Sequence, residues 1–203
     1  MANTAEKQCP RSVSPEDRAR AQLYQLLGAL LCNPPSAELL AGLASISGDD
    51  TPVGQASENL AKLAARTTAP SAESEYNRLF IGLGRGELLP YASYYLTGFL
   101  NEKPLADLRT DLMKRGIRSS DGVKEPEDHM GTLCEIMAGI ITDEFACESD
   151  LASQKAFFEA HLLKWAELFF ADLEEAQNAV FYAPVGSLGK AFMAVESEAF
   201  AIQ

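Results

Sequence analysis

The chain has 203 residues and is 47% hydrophobic, enough to build a core for one large or two small domains, so disorder is excluded as its main state. Seventeen basic against twenty-nine acidic residues give a formal charge of -12. The field of such a chain repels phosphate backbones and anionic lipid and attracts cations or basic peptides, which excludes nucleic acid as the expected partner.

Helix signals recur from end to end, and alternating runs of Val, Ile and Thr are absent, so the spacing predicts an all-α fold. "SPED" (14–17) offers Ser14 as N-cap, Pro15 at the first helical position and acids in the first turn. Leu23, Leu26, Leu27 and Leu30 then form one apolar stripe, and "NPP" (33–35) ends the helix. Within it "LYQLLGALLC" (23–32) superficially resembles the apolar part of a secretion signal. Glu16 and Asp17 in the would-be basic flank, Gln25 in the run and Leu31 before Cys32 argue for a buried helix instead. No other stretch approaches the roughly 20 apolar residues that span a bilayer.

Shorter helices are predicted over about 36–45 and 53–66, and another over 71–81 with Gly82 as its stop. "GLGRGELLP" (82–90) reads as a loop, and no "GK[ST]" follows to make it a phosphate loop. A tyrosine-dense helical piece, "YASYYLTGFL", follows, then a helix over 104–115 closed by Gly116. The polar stretch 117–125 is the expected hinge between an N-terminal part (1–116) and a C-terminal part (126–203) of one compact unit. Two long helices over 126–146 and 151–179 and a last one over 187–200 complete the chain.

Four cysteines, Cys9, Cys32, Cys134 and Cys147, make no CxxC pair and no usual zinc spacing with the two histidines. Reduced thiols in a cytoplasmic protein are the simplest account. "EPEDHM" (125–130) holds three carboxylates and one of the two histidines. Pro126 suits position N1 of a helix, and Glu127 and Asp128 then face the positive end of its dipole, so a structural cap explains the acids. Helical spacing puts His129 at the edge of the apolar stripe of Leu133, Ile136, Met137 and Ile140. A binding or metal site is the competing reading, the latter requiring Glu125 to swing toward His129. His161, four residues from both Phe157 and Trp165, reads as packed against aromatic rings. Tyr91 and Tyr95 are predicted to share a helical face beside Ser93, either as core or as a docking surface for a peptide.

Four pieces in order, "EYNRLFIG" (75–82), "PYASYYL" (90–96), "EPEDHM" and "FFEAHLLKWAELFFADLEEAQNAVFY" (157–182), resemble the TorD/DmsD family of cytoplasmic chaperones for molybdenum-containing redox enzymes. The resemblance implies a TorD-like bundle of about eight to ten helices and a non-enzymatic chaperone without a resident cofactor. Its expected partners are the twin-arginine signal peptide and the apo form of a molybdoenzyme catalytic subunit, held until the cofactor is inserted and before export. Carried over from the family's motifs, the peptide-binding residues are Pro90, Tyr91, Ser93, Tyr95 and Leu96 with Glu125, Pro126, Asp128 and His129. Some members of the family bind GTP weakly and some form domain-swapped dimers through the hinge, so the resemblance leaves open weak GTP binding and either a monomer or a swapped dimer for this chain. Ala92 stands where an acid is common, which bears on which client peptide is read.

A basic signal peptide with an apolar core needs carboxylates beside an apolar groove. Glu125, Glu127, Asp128 and Glu135 are expected to supply the first, the tyrosines with Met130, Leu133 and Met137 the second. The rival readings are a helical assembly subunit for a folded basic partner, and a nucleotide- or metal-dependent hydrolase built on Glu125, Asp128 and His129.

Overall fold

A computed structural model describes residues 13–118, 125–145 and 150–202. The predicted hinge falls largely on 119–124, and Cys9 and Cys147 on 1–12 and 146–149, outside the described residues. Ten α-helices are present among the described residues, and no strand: α1 Pro15–Cys32, α2 Ala37–Leu43, α3 Pro52–Ala64, α4 Ala69–Tyr76, α5 Ala92–Thr97, α6 Lys103–Arg115, α7 Met130–Ile141, α8 Leu151–His161, α9 Ala166–Glu175 and α10 Tyr182–Ala201. A π-helical turn, Asn77–Ile81, prolongs α4. None of the helices is long and apolar enough to cross a membrane, among the described residues.

Helix starts follow from local chemistry where the signals are strong. Ser14 Oγ accepts the Asp17 N–H at 3.0 Å to cap α1, with Pro15 at the first position. Gly82 stops the α4 extension at φ +61°, where a Cβ would meet Arg85 O at 1.9 Å. Helix α1 packs on α7, and α10 on α9 and α3, so one buried cluster joins the two halves of the chain. Gly28 and Gly131 admit the first of these contacts: a Cβ on Gly131 would lie 2.5 Å from Cys32 Sγ. Tyr24, edge-on to Phe192 at 4.7 Å, ties α1 to α10.

Three predicted boundaries are corrected. The helix expected over 126–146 begins at Met130, because Pro126–His129 close a turn of their own while Asp128 O and the Met130 N–H bond the segment around Pro90, as set out below. The helix expected over 151–179 is two helices broken at residues 162–165. Neither glycine nor proline causes that break. Trp165 leaves helical geometry at φ -145°, buries its ring, and donates its indole N–H to His161 O at 2.8 Å. The final helix starts at Tyr182, not 187, so "YAPVGS" is its first turns. Pro184 is tolerated there because first-turn N–H groups have no partner within a helix.

That early start has a distant cause. α10 has no side-chain cap of its own, and Glu75 of α4, 4% exposed, accepts the N–H groups of Val180 (2.8 Å), Phe181 (3.1 Å) and Tyr182 (2.8 Å). Glu87 accepts Gln177 N–H at 2.6 Å and Asn178 N–H at 3.1 Å in the turn just before it. Glu75→Ala strands three N–H donors at a helix end and is expected to cost about 3 kcal/mol of unfolding free energy in urea titrations, with Glu75→Gln costing less.

Candidate functional site

The two motifs carried over from the family meet where the segment Pro90–Ala92 crosses the turn that leads into α7. Pro90 O accepts the Met130 N–H at 2.8 Å, and Asp128 O accepts the Ala92 N–H at 3.0 Å. Tyr91 and His129 stand opposite each other in this antiparallel bridge. The rings of those two residues meet edge-on, 5.2 Å between centroids, and Tyr91 OH donates to the Glu125 carboxylate. Helices α5 and α7 both start from the crossing.

His129, in the bridge, and Asp128, in the turn that Pro126 O and the His129 N–H close just before it, border different cavities. One, of about 390 Å³, lies between α1, the α4 extension and α7 and is lined by Cys32, Asn33, Tyr76, Phe80, Ile81, Pro90, Tyr91, Glu125, His129, Thr132 and Glu135. The other, of about 370 Å³, lies between α5, α6, α7 and α8 and is lined by Asp128, Leu96, Thr97, Leu108, Leu133 and His161 among others, with Lys103 and Lys164 also on its walls. Of the nine carried-over residues, Pro90, Tyr91, Glu125 and His129 converge on the first cavity, while Leu96 and Asp128 border the second.

The expectation that Tyr91 and Tyr95 share a helical face is corrected. Tyr91 is the N-cap of α5, and Tyr95 turns the other way: its ring lies 5.3 Å from Trp165 and its hydroxyl donates to Asp172 at 2.8 Å. Asp128, expected among outward-facing carboxylates, is fully buried. Met130, Leu133 and Met137, expected as an open apolar groove, are core residues with 0% exposure. Pro126 is not at N1 of a helix, and Glu127 pairs with Arg109 at 2.8 Å in the turn before α7. Sequence reasoning missed Cys32, Tyr76 and Phe80 as cavity walls. The last two sit four apart in "EYNRLFIG", a spacing that places them on one face.

The electrostatics of the first cavity are set by burial. Desolvation pulls the His129 imidazole down to about 4, outweighing the nearby Glu125 and Asp128 carboxylates that favour its charged form. His129 is therefore neutral at pH 7. Its Nδ1 accepts the Gly131 N–H at 3.1 Å, capping α7, so the proton sits on Nε2. No group of the described residues accepts that N–H, and it remains reachable from the cavity. Burial, then the charge of Glu135, pushes the Cys32 thiol up to about 12, which keeps it protonated and unreactive. Glu125 and Glu135 are exposed at the rim. With Nδ1 committed to the helix cap, His129 has only Nε2 to offer a metal, and no group of three or more His, Cys, Asp and Glu among the described residues is arranged to hold one. The second histidine packs as expected, 5.0 Å from the Phe157 ring, and also meets Asp111 at 3.1 Å.

What this site offers is an acidic rim, aromatic walls and, from His129, an N–H donor inside. The all-helical fold is that of the redox enzyme maturation proteins. A solved structure of one from Archaeoglobus fulgidus superposes with a TM-score of 0.60 over 93% of this chain and 99% of that chain, at 18% identity. Residues 47–171 match the family model described as nitrate reductase delta subunit, and the chain belongs to this family, the TorD/DmsD family. Curated relatives are named as chaperones, not enzymes. The chaperone protein TorD of Vibrio atlanticus is 31% identical over 62% of this chain and 62% of its own length. That of Aliivibrio fischeri is 32% identical over 58% of each chain, so the alignment spans less than two thirds of these two relatives. The TorD of Vibrio cholerae is 28% identical over 86% of this chain and 88% of its own.

The His129 environment makes stability depend on pH. Unfolded, the imidazole takes up a proton near 6.5; folded, it resists until about 4. Between these values the unfolded chain holds the extra proton, so stability falls as pH drops through the window, by about 1.4 kcal/mol per unit. His129→Asn keeps an N-cap acceptor without titrating. Relative to that variant, the wild type is expected to lose about 2 kcal/mol between pH 7 and pH 5 in urea unfolding.

Proposed function

We propose that the chain is a cytoplasmic, non-enzymatic chaperone that binds the twin-arginine signal peptide of a molybdenum-containing oxidoreductase precursor. It holds the precursor until the cofactor is inserted, ahead of export. The observation that carries this reading is the cavity at the motif crossing. Glu125 and Glu135 at its rim suit guanidinium groups, which carboxylates bind through paired, charge-assisted hydrogen bonds. Tyr76, Phe80 and Tyr91 line the cavity with aromatic rings, which suit the same planar cations. The His129 Nε2–H suits a backbone carbonyl of an extended peptide.

Apolar surface for the segment after the arginines comes from a hollow on the other side of the Glu125–Thr132–Glu135 ridge. Leu112, Ile117, Ile136 and Phe145 form its floor. This replaces the buried methionine stripe as the apolar element of the receptor. The net charge of -12 favours approach of a basic peptide at low ionic strength. The names of the TorD relatives support the chaperone role.

The test is titration of a fluorescent twin-arginine peptide by anisotropy. Glu125→Gln with Glu135→Gln is expected to weaken binding by about 2 kcal/mol, roughly thirtyfold, and to flatten its salt dependence. Replacing both arginines by glutamine should abolish most of the affinity of the wild-type protein. Affinity that ignores both changes, or capture of a precursor undiminished by deleting its leader, overturns the reading.

A further inference from the structure

Within the E-P-x-D-H element, the aspartate does something different from the histidine beside it. Asp128 is 0% exposed and does not border the cavity that His129 lines. Its Oδ2 accepts the Ser93 N–H at 2.8 Å, a first-turn donor of α5 that would otherwise be unpaired. The next N–H along, that of Ala92, goes to Asp128's own carbonyl oxygen at 3.0 Å. One residue thus takes both leading N–H groups of α5, through its side chain and its backbone. Those bonds fix where α5 begins, and Tyr91, its N-cap, is the residue that faces His129 and Glu125 across the bridge.

The charge of Asp128 has no comparable use. No cation pairs with it among the described residues, and its Oδ1, like the Ser93 Oγ, is buried without a hydrogen-bond partner. A carboxylate kept to grip an arginine would open toward the site that receives one. This oxygen belongs to a side chain that borders the other cavity, whose lining also includes Leu108, Leu133, His161, Lys103 and Lys164.

We infer that Asp128 is a positioning residue for peptide binding: it acts through the start of α5, setting Tyr91 against His129, and makes no contact with the peptide's cations. The inference rests on the proposed peptide-binding reading and assigns the contacting carboxylates to Glu125 and Glu135 alone. What binding needs from Asp128 is an acceptor oxygen at Oδ2, which asparagine also supplies.

The experiment measures twin-arginine peptide affinity of the full chain across a salt series for wild type, Asp128→Ala and Asp128→Asn. Asp128→Ala is expected to lose about tenfold in affinity with the wild-type salt slope retained, and Asp128→Asn to rescue most of that loss, again with the wild-type slope. A tenfold loss in Asp128→Asn, or a shallower salt slope in either variant, overturns the inference, because it marks a direct charge contact. Should Asp128→Ala fail to fold, Asp128→Asn decides by the same two readings. Absence of binding by the wild-type chain, by contrast, is a failure of the peptide-binding reading itself.

Discussion

Two backbone hydrogen bonds, Met130 N–H to Pro90 O and Ala92 N–H to Asp128 O, hold together everything on which the site depends. They join segments nearly forty residues apart and fix the origins of two helices at one point. Because α7 runs from this point into the contact with α1, the crossing is also welded to the main core. A pair of bonds of this kind contributes only about 1 kcal/mol each on its own. Their weight comes from position: each is made at a helix start, where a donor would otherwise be orphaned, and each is shielded by buried neighbours.

The crossing also separates two electrical environments. On one side an imidazole is kept neutral by burial beneath an acidic rim; on the other, a carboxylate sits under apolar walls with lysines further out. Two adjacent residues serve the two sides without competing, one from the turn before α7 and one from the bridge at its start. Had α7 begun at Pro126, as helix chemistry alone suggests, Asp128 and His129 would have projected about 100° apart on one helix. The partition between a ligand-facing and a framework-facing residue would then be lost.

Local rules read the first helix well, since Ser14, Pro15 and the following acids all act within one turn. The glycine stops at Gly82 and Gly116 were legible for the same reason. The failures share a cause of the opposite kind. The start of α7 is decided by Pro90, the break before α9 by the burial of Trp165, and the start of α10 by Glu75, each remote in sequence or invisible to periodicity. An apolar stripe such as Met130, Leu133 and Met137 announces burial without saying against what, and here the answer was the core. The motif residues were legible as a set through resemblance, while their division between two cavities needed the turn and bridge before α7, which the sequence disguises as a helix.

Glu75 has a consequence for where the foldable unit ends. The family match stops at residue 171, yet the carboxylate inside it is satisfied only by N–H groups at 180–182, and α7 inside it packs on a helix that ends at residue 32. A chain emerging from the ribosome therefore makes the partners of Glu75 only after more than a hundred further residues of synthesis. Excising the shared region alone would leave it in that unfinished condition, so the boundaries of likeness are not boundaries of stability.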